Sequence, residues 1–425
     1  MIDTIFALSS GAPPAALGII RVSGPAAGSA LNGLAGRLPE PRRASLARLQ
    51  ASDGSLLDEA LVLWLPGPRT ATGEDMVELH CHGGRAVIAA VEATLAEMPG
   101  LRRATPGEFT RRAFANGRID LAEAEGLADL LAAETEIQRR SALLLAGGTF
   151  SRQVEAWRES LLMASAAIEA VLDFADEDDV AALPPGFADG LQALASEIDR
   201  HVQAPRAETL REGFRVVIAG PPNAGKSTLF NALVESEAAI TAPVAGTTRD
   251  VLTRPVALAG VPFLFVDTAG LRSETSDPIE AIGIARAEAE LERSDLVLWL
   301  GPEGQGPDGC WEIEAQCDRV DHAAKRAPRH RLSATTGQGV DVLRQDLIAK
   351  ARVAMPGPGE VALNARQHGL LADASVRIGE AAGHADPLLA AEALRQARVA
   401  FDSLLGRATT EDMLDTLFGR FCIGK

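Results

Sequence analysis

The residues best suited to chemistry are Gly220-Pro-Pro-Asn-Ala-Gly-Lys-Ser227, spaced G-x-x-x-x-G-K-S. Glycines at the first and sixth positions let backbone N–H groups turn toward an anion, and a helix beginning at the last residues adds partial positive charge. A lysine there reaches the β- and γ-phosphates of a nucleotide, and the following hydroxyl is a ligand for Mg²⁺. The motif needs a strand before it and a helix after it. Phe214-Arg-Val-Val-Ile-Ala219 is apolar and β-branched, and Thr228-Leu-Phe-Asn-Ala-Leu233 is helix-compatible, so both requirements are met. Asn223, Ala224, Gly225, Lys226, Ser227 and Thr228 are therefore expected to hold phosphate.

Two further stretches follow in the order a nucleotide switch requires. Ala245-Gly-Thr-Thr-Arg-Asp250 offers Gly246, Thr247 and Thr248 as a loop whose threonine completes an Mg²⁺ shell only when a γ-phosphate is present. Phe263-Leu-Phe-Val-Asp-Thr-Ala-Gly270 is a strand ending in D-T-A-G, so Asp267 would hold the Mg²⁺ water shell. Thr268, Ala269 and Gly270 follow it, with the Gly270 amide sensing the γ-phosphate. Leu332-Ser-Ala-Thr335 fits a loop backing a guanine base through Ser333 and Ala334. Together these specify a Ras-like GTPase domain rather than a kinase or transporter ATPase. One part is degenerate: an N-K-x-D is expected between Leu300 and Ser333, and the best register is Ala315-Gln-Cys-Asp318. Asp318 can accept from the guanine N1 and N2 donors, but the asparagine and lysine are absent, and a rival register would use Asp321. Weaker or less selective guanine binding is expected.

The elements that carry this module fall into four segments: 1–116, 117–212, 213–350 and 351–425. In the first, Asp3–Ala7, Leu17–Gly24, Leu61–Leu65 and Met76–His80 read as strands, with helices from Pro25 to Leu34 and Ala86 to Met98. This interleaving gives a compact α/β or α+β domain. Arg21 and Glu78 interrupt apolar strands, either as solvent-facing positions or as part of a pocket for a polar ligand. In the second, Arg118 to Leu145 reads as one long helix, Phe150 to Phe174 as another and Phe187 to His201 as a third. Asp173-Phe-Ala-Asp-Glu-Asp-Asp179 reads as a solvated helix end. After the nucleotide segment, helices are expected from Leu363, from Asp386-Pro387, and from a Thr409/Asp412 capping box. The P-loop segment is thus inserted into a helical domain split in sequence.

Bulk properties narrow the class. The 425 residues suggest two or three domains, and 47% apolar residues suffice for packed cores. No window approaches a membrane span and no secretory signal is seen, so a cytoplasmic protein is expected, with no membrane and no DNA partner. A net charge of −17 excludes a broad basic nucleic-acid footprint, so any RNA contact must be local or supplied by a partner. Four cysteines show no framework spacing, and His80-Cys81-His82 has no second pair to complete a metal site. Cys422 near the end reads by default as a small apolar packing residue.

The order of these pieces resembles the MnmE (TrmE) family of tRNA-modification GTPases along nearly the whole chain. The resemblance rests on Gly18-Ile-Ile-Arg-Val-Ser-Gly24, Thr72-Gly-Glu-Asp75, His82-Gly-Gly84 and Pro106-Gly-Glu-Phe-Thr-Arg-Arg-Ala-Phe114. It continues in Asn223-Ala-Gly-Lys-Ser227, Gly246-Thr-Thr-Arg-Asp250, Asp267-Thr-Ala-Gly-Leu-Arg272 and the terminal Phe-Cys-Ile-Gly-Lys425. Ala71, where the family usually has tyrosine, and the eroded guanine motif depart from it. The resemblance implies an N-terminal domain that dimerises and binds a 5-formyl-tetrahydrofolate or related folate through Arg21, Glu78, Arg118 and Lys425. It implies K⁺ in place of an arginine finger, held by Asn223 with Ala242, Val244 and Thr247, and Glu280 as the residue that orients the attacking water. It also implies a homodimer and an MnmG-type partner carrying FAD. With that partner the family adds an aminomethyl or carboxymethylaminomethyl group at C5 of the wobble uridine of certain tRNAs. Cys422 matches a cysteine needed for modification, as a nucleophile or as a neighbour of the folate pocket. Lys226, Thr248, Glu280 and Cys422 are the catalytic candidates.

A second reading is a regulatory GTPase switch of the ribosome-assembly type without modification activity. A third is a folate transferase with a vestigial GTPase, against which intact Lys226, Ser227, Thr248 and Asp267 argue. The N-terminal segment and Cys422 favour the modification enzyme over a bare switch, which needs neither.

Overall fold

The computed structural model describes residues 3–173, 183–203, 207–234, 252–267, 289–357, 359–408 and 410–424. They form two compact units: Met1–Ala128 with Asp402–Lys425, and Asp129–Phe401.

The first unit is built on a six-stranded sheet. Its strands are β1 (Thr4–Leu8), β2 (Leu17–Ser23), β3 (Ser45–Gln50), β4 (Leu56–Leu65), β5 (Met76–His82) and β6 (Leu101–Arg103). They lie in the order β3-β4-β5-β2-β1-β6, antiparallel except for the β1–β6 pair. Strand alternation sends Phe6, Ile20, Val22, Val62, Val77, Leu79 and Cys81 to one face. There α1 (Ala27–Ala35) and α2 (Arg85–Glu97) close the core with Leu31, Leu34, Val91 and Leu95. The opposite face is covered in part by α3 (Glu108–Ala115), whose Phe109 packs on Ile5 and Ala7. Helix α4 (Leu121–Ala132) begins in this unit, and α13 (Glu411–Phe418) packs Leu414 and Phe418 against its Leu121 and Ala124.

The second unit holds the other sheet and most of the helices. Its strands are β7 (Phe214–Ala219), β8 (Leu252–Leu258), β9 (Val261–Asp267), β10 (Leu296–Trp299), β11 (Trp311–Glu314) and β12 (His330–Arg331). The order is β12-β11-β10-β7-β9-β8, parallel throughout except that β8 runs antiparallel to β9. Both faces are buried: Val216, Ile218, Phe263 and Phe265 on one side, Val217, Ala219 and Val266 on the other. Helix α9 (Lys226–Val234) follows β7, and α10 (Val340–Val353) packs Leu343 and Leu347 into the same core.

Helices α5 (Glu136–Ala146), α6 (Thr149–Asp173), α7 (Phe187–Val202) and α8 (Ala207–Glu212) precede the P-loop sheet, and α11 (Ala365–Gly383) and α12 (Pro387–Leu404) follow it. Across the insertion, Ser375 of α11 donates to Asp199 Oδ1 of α7 at 2.6 Å, and Trp157 of α6 stacks on Phe401 of α12 with ring centroids 6.3 Å apart. The helical layer is thus assembled from both sides of the insertion.

Two expectations are corrected. The stretch from Arg118 to Leu145 is two helices, α4 and α5, because Thr135 accepts from the Gln138 amide at 3.3 Å while Gln138 Oε1 accepts from the Thr135 amide at 2.8 Å. That capping box starts a new helix at Glu136. Helix α13 opens with Thr410 as N-cap and without a side-chain cap bond, not with a Thr409/Asp412 box. Its Glu411 and Asp415 pair instead with Arg111 of α3. Thr409 lies outside the described residues. The expected start of α12 holds, with Asp386 Oδ1 accepting from the Leu388 amide at 2.9 Å.

Candidate functional site

Strand β7 sits between β9 and β10, so the loop after it emerges at the carboxyl edge of a parallel sheet. Glycine is required where the loop leaves the strand. Gly220 has φ +150°, and a Cβ there would lie 3.1 Å from the Gly301 nitrogen. Lys226 Nζ is buried and donates to the carbonyls of Gly220 at 3.0 Å and Pro221 at 2.8 Å, holding an ammonium inside the loop. Ser227, at the start of α9, donates its hydroxyl to Asp267 Oδ2 at 2.7 Å. Asp267 ends β9 and is wholly buried. A hydroxyl and a carboxylate meeting at a helix N-terminus are hard oxygen donors, and this pair fits Mg²⁺. Asn223 lies in the same loop with φ 63°, the left-handed region that asparagine tolerates better than most residues.

The base-reading candidates come together on neighbouring loops. Ser333, beside Asp318, holds that carboxyl below the usual range. Ser333 is itself wholly buried, with its amide on Gln338 O at 2.9 Å. Asp321, the carboxylate of the rival register, is taken up by Arg319 through two contacts of 3.2 Å. Ala334 packs at the margin of the sheet's core. Ala242, Val244, Gly246, Thr247, Thr248, Thr268, Ala269, Gly270 and Glu280 lie outside the described residues, as does Lys425.

In the first unit, Arg21 and Glu78 are directly opposite on β2 and β5. They form an ion pair through Arg21 Nη2 at 2.9 Å and Nε at 3.2 Å. Burial pushes the Glu78 carboxyl up, but Arg21 and then His80 outweigh it and hold it below its ordinary value. The Arg21 guanidinium also stands 5.9 Å from the centre of the Phe109 ring. Arg118 Nε donates to Thr70 O at 3.1 Å, and the neighbouring Asn116 donates to Thr72 O at 2.7 Å. The C-terminal tail docks on the same unit. A Cβ on Gly107 would meet Phe418 O at 2.2 Å, and one on Gly424 would meet Leu8 O at 2.1 Å. Cys422 is exposed between these contacts. The two sequence readings of Arg21 and Glu78 therefore resolve into one half-buried pair on a sheet face that α3 covers only partly.

His80-Cys81-His82 does not converge. Cys81 points into the core, where burial and then Asp58 push its thiol up to about 12. His80 bonds Glu78 at 3.3 Å and His82 bonds Asp58 at 2.7 Å.

Phe109 and Gln316 carry no functional signal of their own in the sequence. Phe109 sits within the quoted Pro106–Phe114 stretch, which was the available signal. Gln316 had none beyond its place in the worn base motif.

A parallel sheet that delivers a glycine loop into a helix, with a serine–aspartate pair beneath it, defines a P-loop nucleotide-binding module. Here that module interrupts a helical layer and accompanies a separate α+β unit. Residues 121–422 match the family model of the MnmE helical domain, and residues 4–118 match that of the GTP-binding protein TrmE N-terminus. The tRNA modification GTPase MnmE of Erythrobacter litoralis is 63% identical over 423 residues, spanning the whole of both chains. That of Novosphingobium aromaticivorans is 64% identical over 437 residues, again with full coverage of both. The chain belongs to the MnmE family of tRNA modification GTPases. Among solved structures, the G domain of the T. maritima FeoB iron transporter aligns with 32% of this chain and 98% of its own, at 22% identity and a TM-score of 0.24. That likeness is too small to argue from.

Proposed function

We propose that this chain is a K⁺-stimulated GTPase acting in tRNA modification. With a flavin-bearing partner of the MnmG type, it helps to install an aminomethyl or carboxymethylaminomethyl group at C5 of the wobble uridine. The one-carbon unit comes from a 5-formyl-tetrahydrofolate, and FAD resides on the partner. The working parts are a folate-binding and dimerisation segment (1–116), a helical domain in two pieces (117–212 and 351–425) and the GTPase segment (213–350). The chain works in the cytoplasm as a homodimer.

The observation that carries the GTPase reading is the 2.7 Å Ser227–Asp267 pair beneath a loop already holding the Lys226 ammonium. Hydrolysis forms a bond from a water oxygen to the γ-phosphorus and breaks the β–γ bridge, leaving charge on GDP and phosphate. Lys226 stabilises the oxygens that gain this charge, and the loop amides and the α9 N-terminus add to it. Ser227, Thr248 and, through water, Asp267 would hold Mg²⁺, which would supply further neutralisation of the phosphate charge. Asn223, with Ala242, Val244 and Thr247, would hold K⁺, and Glu280 would orient the water. Asp318 accepts from guanine, with Ser333 and Ala334 behind it.

Support for the folate site is the Arg21–Glu78 pair on an open sheet face, with Arg118 nearby and the tail that carries Cys422 and Lys425 docked on the same unit. Support for the homodimer is that same face, where the cross-strand pair Leu46 and Leu61 stays 68% and 40% exposed. The test is GTP turnover by purified chain in K⁺ against Na⁺ at equal ionic strength. Faster turnover in K⁺ is expected, with loss in Asn223→Ala. Equal turnover in both salts would remove the K⁺ mechanism, and no turnover in either would remove the GTPase reading.

A further inference from the structure

The backbone on either side of Asp318 is held by hydrogen bonds. Before it, the Cys317 amide donates to Leu332 O at 3.2 Å. After it, the Arg319 carbonyl faces His322 Nδ1 at 2.7 Å. The same imidazole reaches back with Nε2 to Glu314 Oε1 at 2.9 Å, at the end of β11. His322 thus bridges the last residue of the strand and the residue that follows the base-reading carboxylate.

Both ring nitrogens face oxygens that can only accept, a carbonyl and an ionised carboxylate. A neutral imidazole has one N–H and would turn a lone pair on one of them, so both bonds form only in the imidazolium. The surroundings keep the carboxylate ionised. Glu314 is buried, and its oxygens also accept from Arg331 Nε at 2.8 Å, Arg331 Nη2 at 3.2 Å and the Lys325 amide at 3.1 Å. Burial pushes the Glu314 carboxyl up, but His322, the Lys325 amide and Arg331 outweigh it and hold it below its ordinary value. The charged groups facing His322 are Glu314 on β11, Arg331 on β12, and Asp318 and Asp321 on its own loop. Glu314, and then the Arg319 carbonyl, raise the His322 pKa above the ordinary 6.5, against burial and the Arg331 charge.

We propose that His322 is a positioning residue for Asp318: as an imidazolium it ties Glu314 to the Arg319 carbonyl, and so sets the base-reading carboxylate without touching the base. In a chain whose base motif lacks its asparagine and lysine, this bridge supplies order that those residues do not. The order is charge-dependent. A histidine whose folded pKa is raised contributes fully below its unfolded value of 6.5, and the contribution is lost as pH rises through the raised value. Guanine binding should therefore weaken toward alkaline pH, while phosphate binding should not. The proposal rests on the nucleotide-binding reading of Gly220–Ser227 and on Asp318 as the guanine acceptor.

The test is affinity for GDP and for inorganic tripolyphosphate, measured by competition on the full chain across a pH series. His322→Arg keeps the donors and fixes the charge, so it is the reference at each pH, and the ligands' own protons titrate equally for both chains. Relative to His322→Arg, the unaltered chain should match in GDP affinity below pH 6.5 and fall about three- to tenfold at alkaline pH, the span expected for a hydrogen-bonded bridge at a partly exposed site. Tripolyphosphate affinity should keep a constant ratio throughout. His322→Leu offers no donor and should bind GDP weakly by that same factor at every pH, with tripolyphosphate affinity retained as the sign of an intact domain. Three results would each overturn the proposal: a GDP ratio that does not change with pH, a tripolyphosphate ratio that falls as far as that of GDP, or GDP affinity in His322→Leu equal to that of the unaltered chain below pH 6.5. If the unaltered chain binds neither ligand, the nucleotide reading itself has failed.

Discussion

Replacing Arg112 by methionine should loosen the seam that fixes α3 to the sheet. Arg112 is 0% exposed. One terminal nitrogen donates to Asp3 O at 2.9 Å and Glu74 Oε2 at 3.1 Å; the other donates to Asp3 Oδ1 at 2.9 Å and Glu108 Oε1 at 3.1 Å. Removing one partner of a buried ion pair typically costs about 3–5 kcal/mol, because the remaining charge stays desolvated. Here Arg102 still holds Glu108 at 2.8 and 2.5 Å and Asp3 at 2.6 Å, so two of the three carboxylates keep a cation. Glu74 keeps only the Ser23 hydroxyl at 2.8 Å among its side-chain donors to that oxygen. The expected cost is therefore at the low end, about 3 kcal/mol, or roughly a 150-fold rise in the exchange rate of amides that open with this region. Hydrogen exchange resolved by peptide is the suitable assay, since it separates β1, β2 and α3 from the P-loop sheet. Loss of protection confined to these elements is predicted. A change below threefold, or an equal loss in β7 and β9, would mean that this arginine is not the anchor.

Two other expectations follow from the same geometry. Asp318→Asn should lower GTP affinity about 100-fold and improve XTP relative to GTP, because an amide donor would then face the guanine donors; competition binding with both nucleotides checks it. Burial raises the Glu108 carboxyl, but Arg102, the Thr105 amide and Arg112 more than compensate, bringing it to about 2 in the folded chain. A carboxyl that ionises more readily folded than unfolded stabilises the fold only while ionised. Its contribution is complete above the unfolded value near 4.5 and is lost as pH falls toward 2. Allowing for solvent screening this is about 2 kcal/mol. Acid unfolding of the first unit should therefore begin at higher pH in Glu108→Gln, as followed by exchange of α3; coincident acid curves would contradict this.

The phosphate loop was legible in the sequence because it is local: strand, glycine turn and helix lie within twenty residues and announce themselves by period and composition. Asp267 was legible for the same reason, as the end of a buried apolar strand. The Arg21–Glu78 pair was not, because cross-strand register is set by hairpins and loops distant from either residue. Each charge looked anomalous alone and is explained by the other. The break between α4 and α5 was hidden by a run of good helix formers. Its sole signal was Thr135 with Gln138 three residues on, a pattern that competes with helix continuation only when both bonds form. Gln316 was legible only as the lysine position of a worn base motif; its 3.1 Å bond to the Asn223 carbonyl depends on where two loops distant in sequence meet.

The proposed function makes the GTPase serve wobble-uridine modification. Nucleoside analysis of tRNA from a strain lacking this chain tests it most directly. C5-aminomethyl-type wobble uridines are expected to disappear, and to return with the unaltered chain but not with Ser227→Ala. Wobble uridines unchanged by the deletion would contradict it.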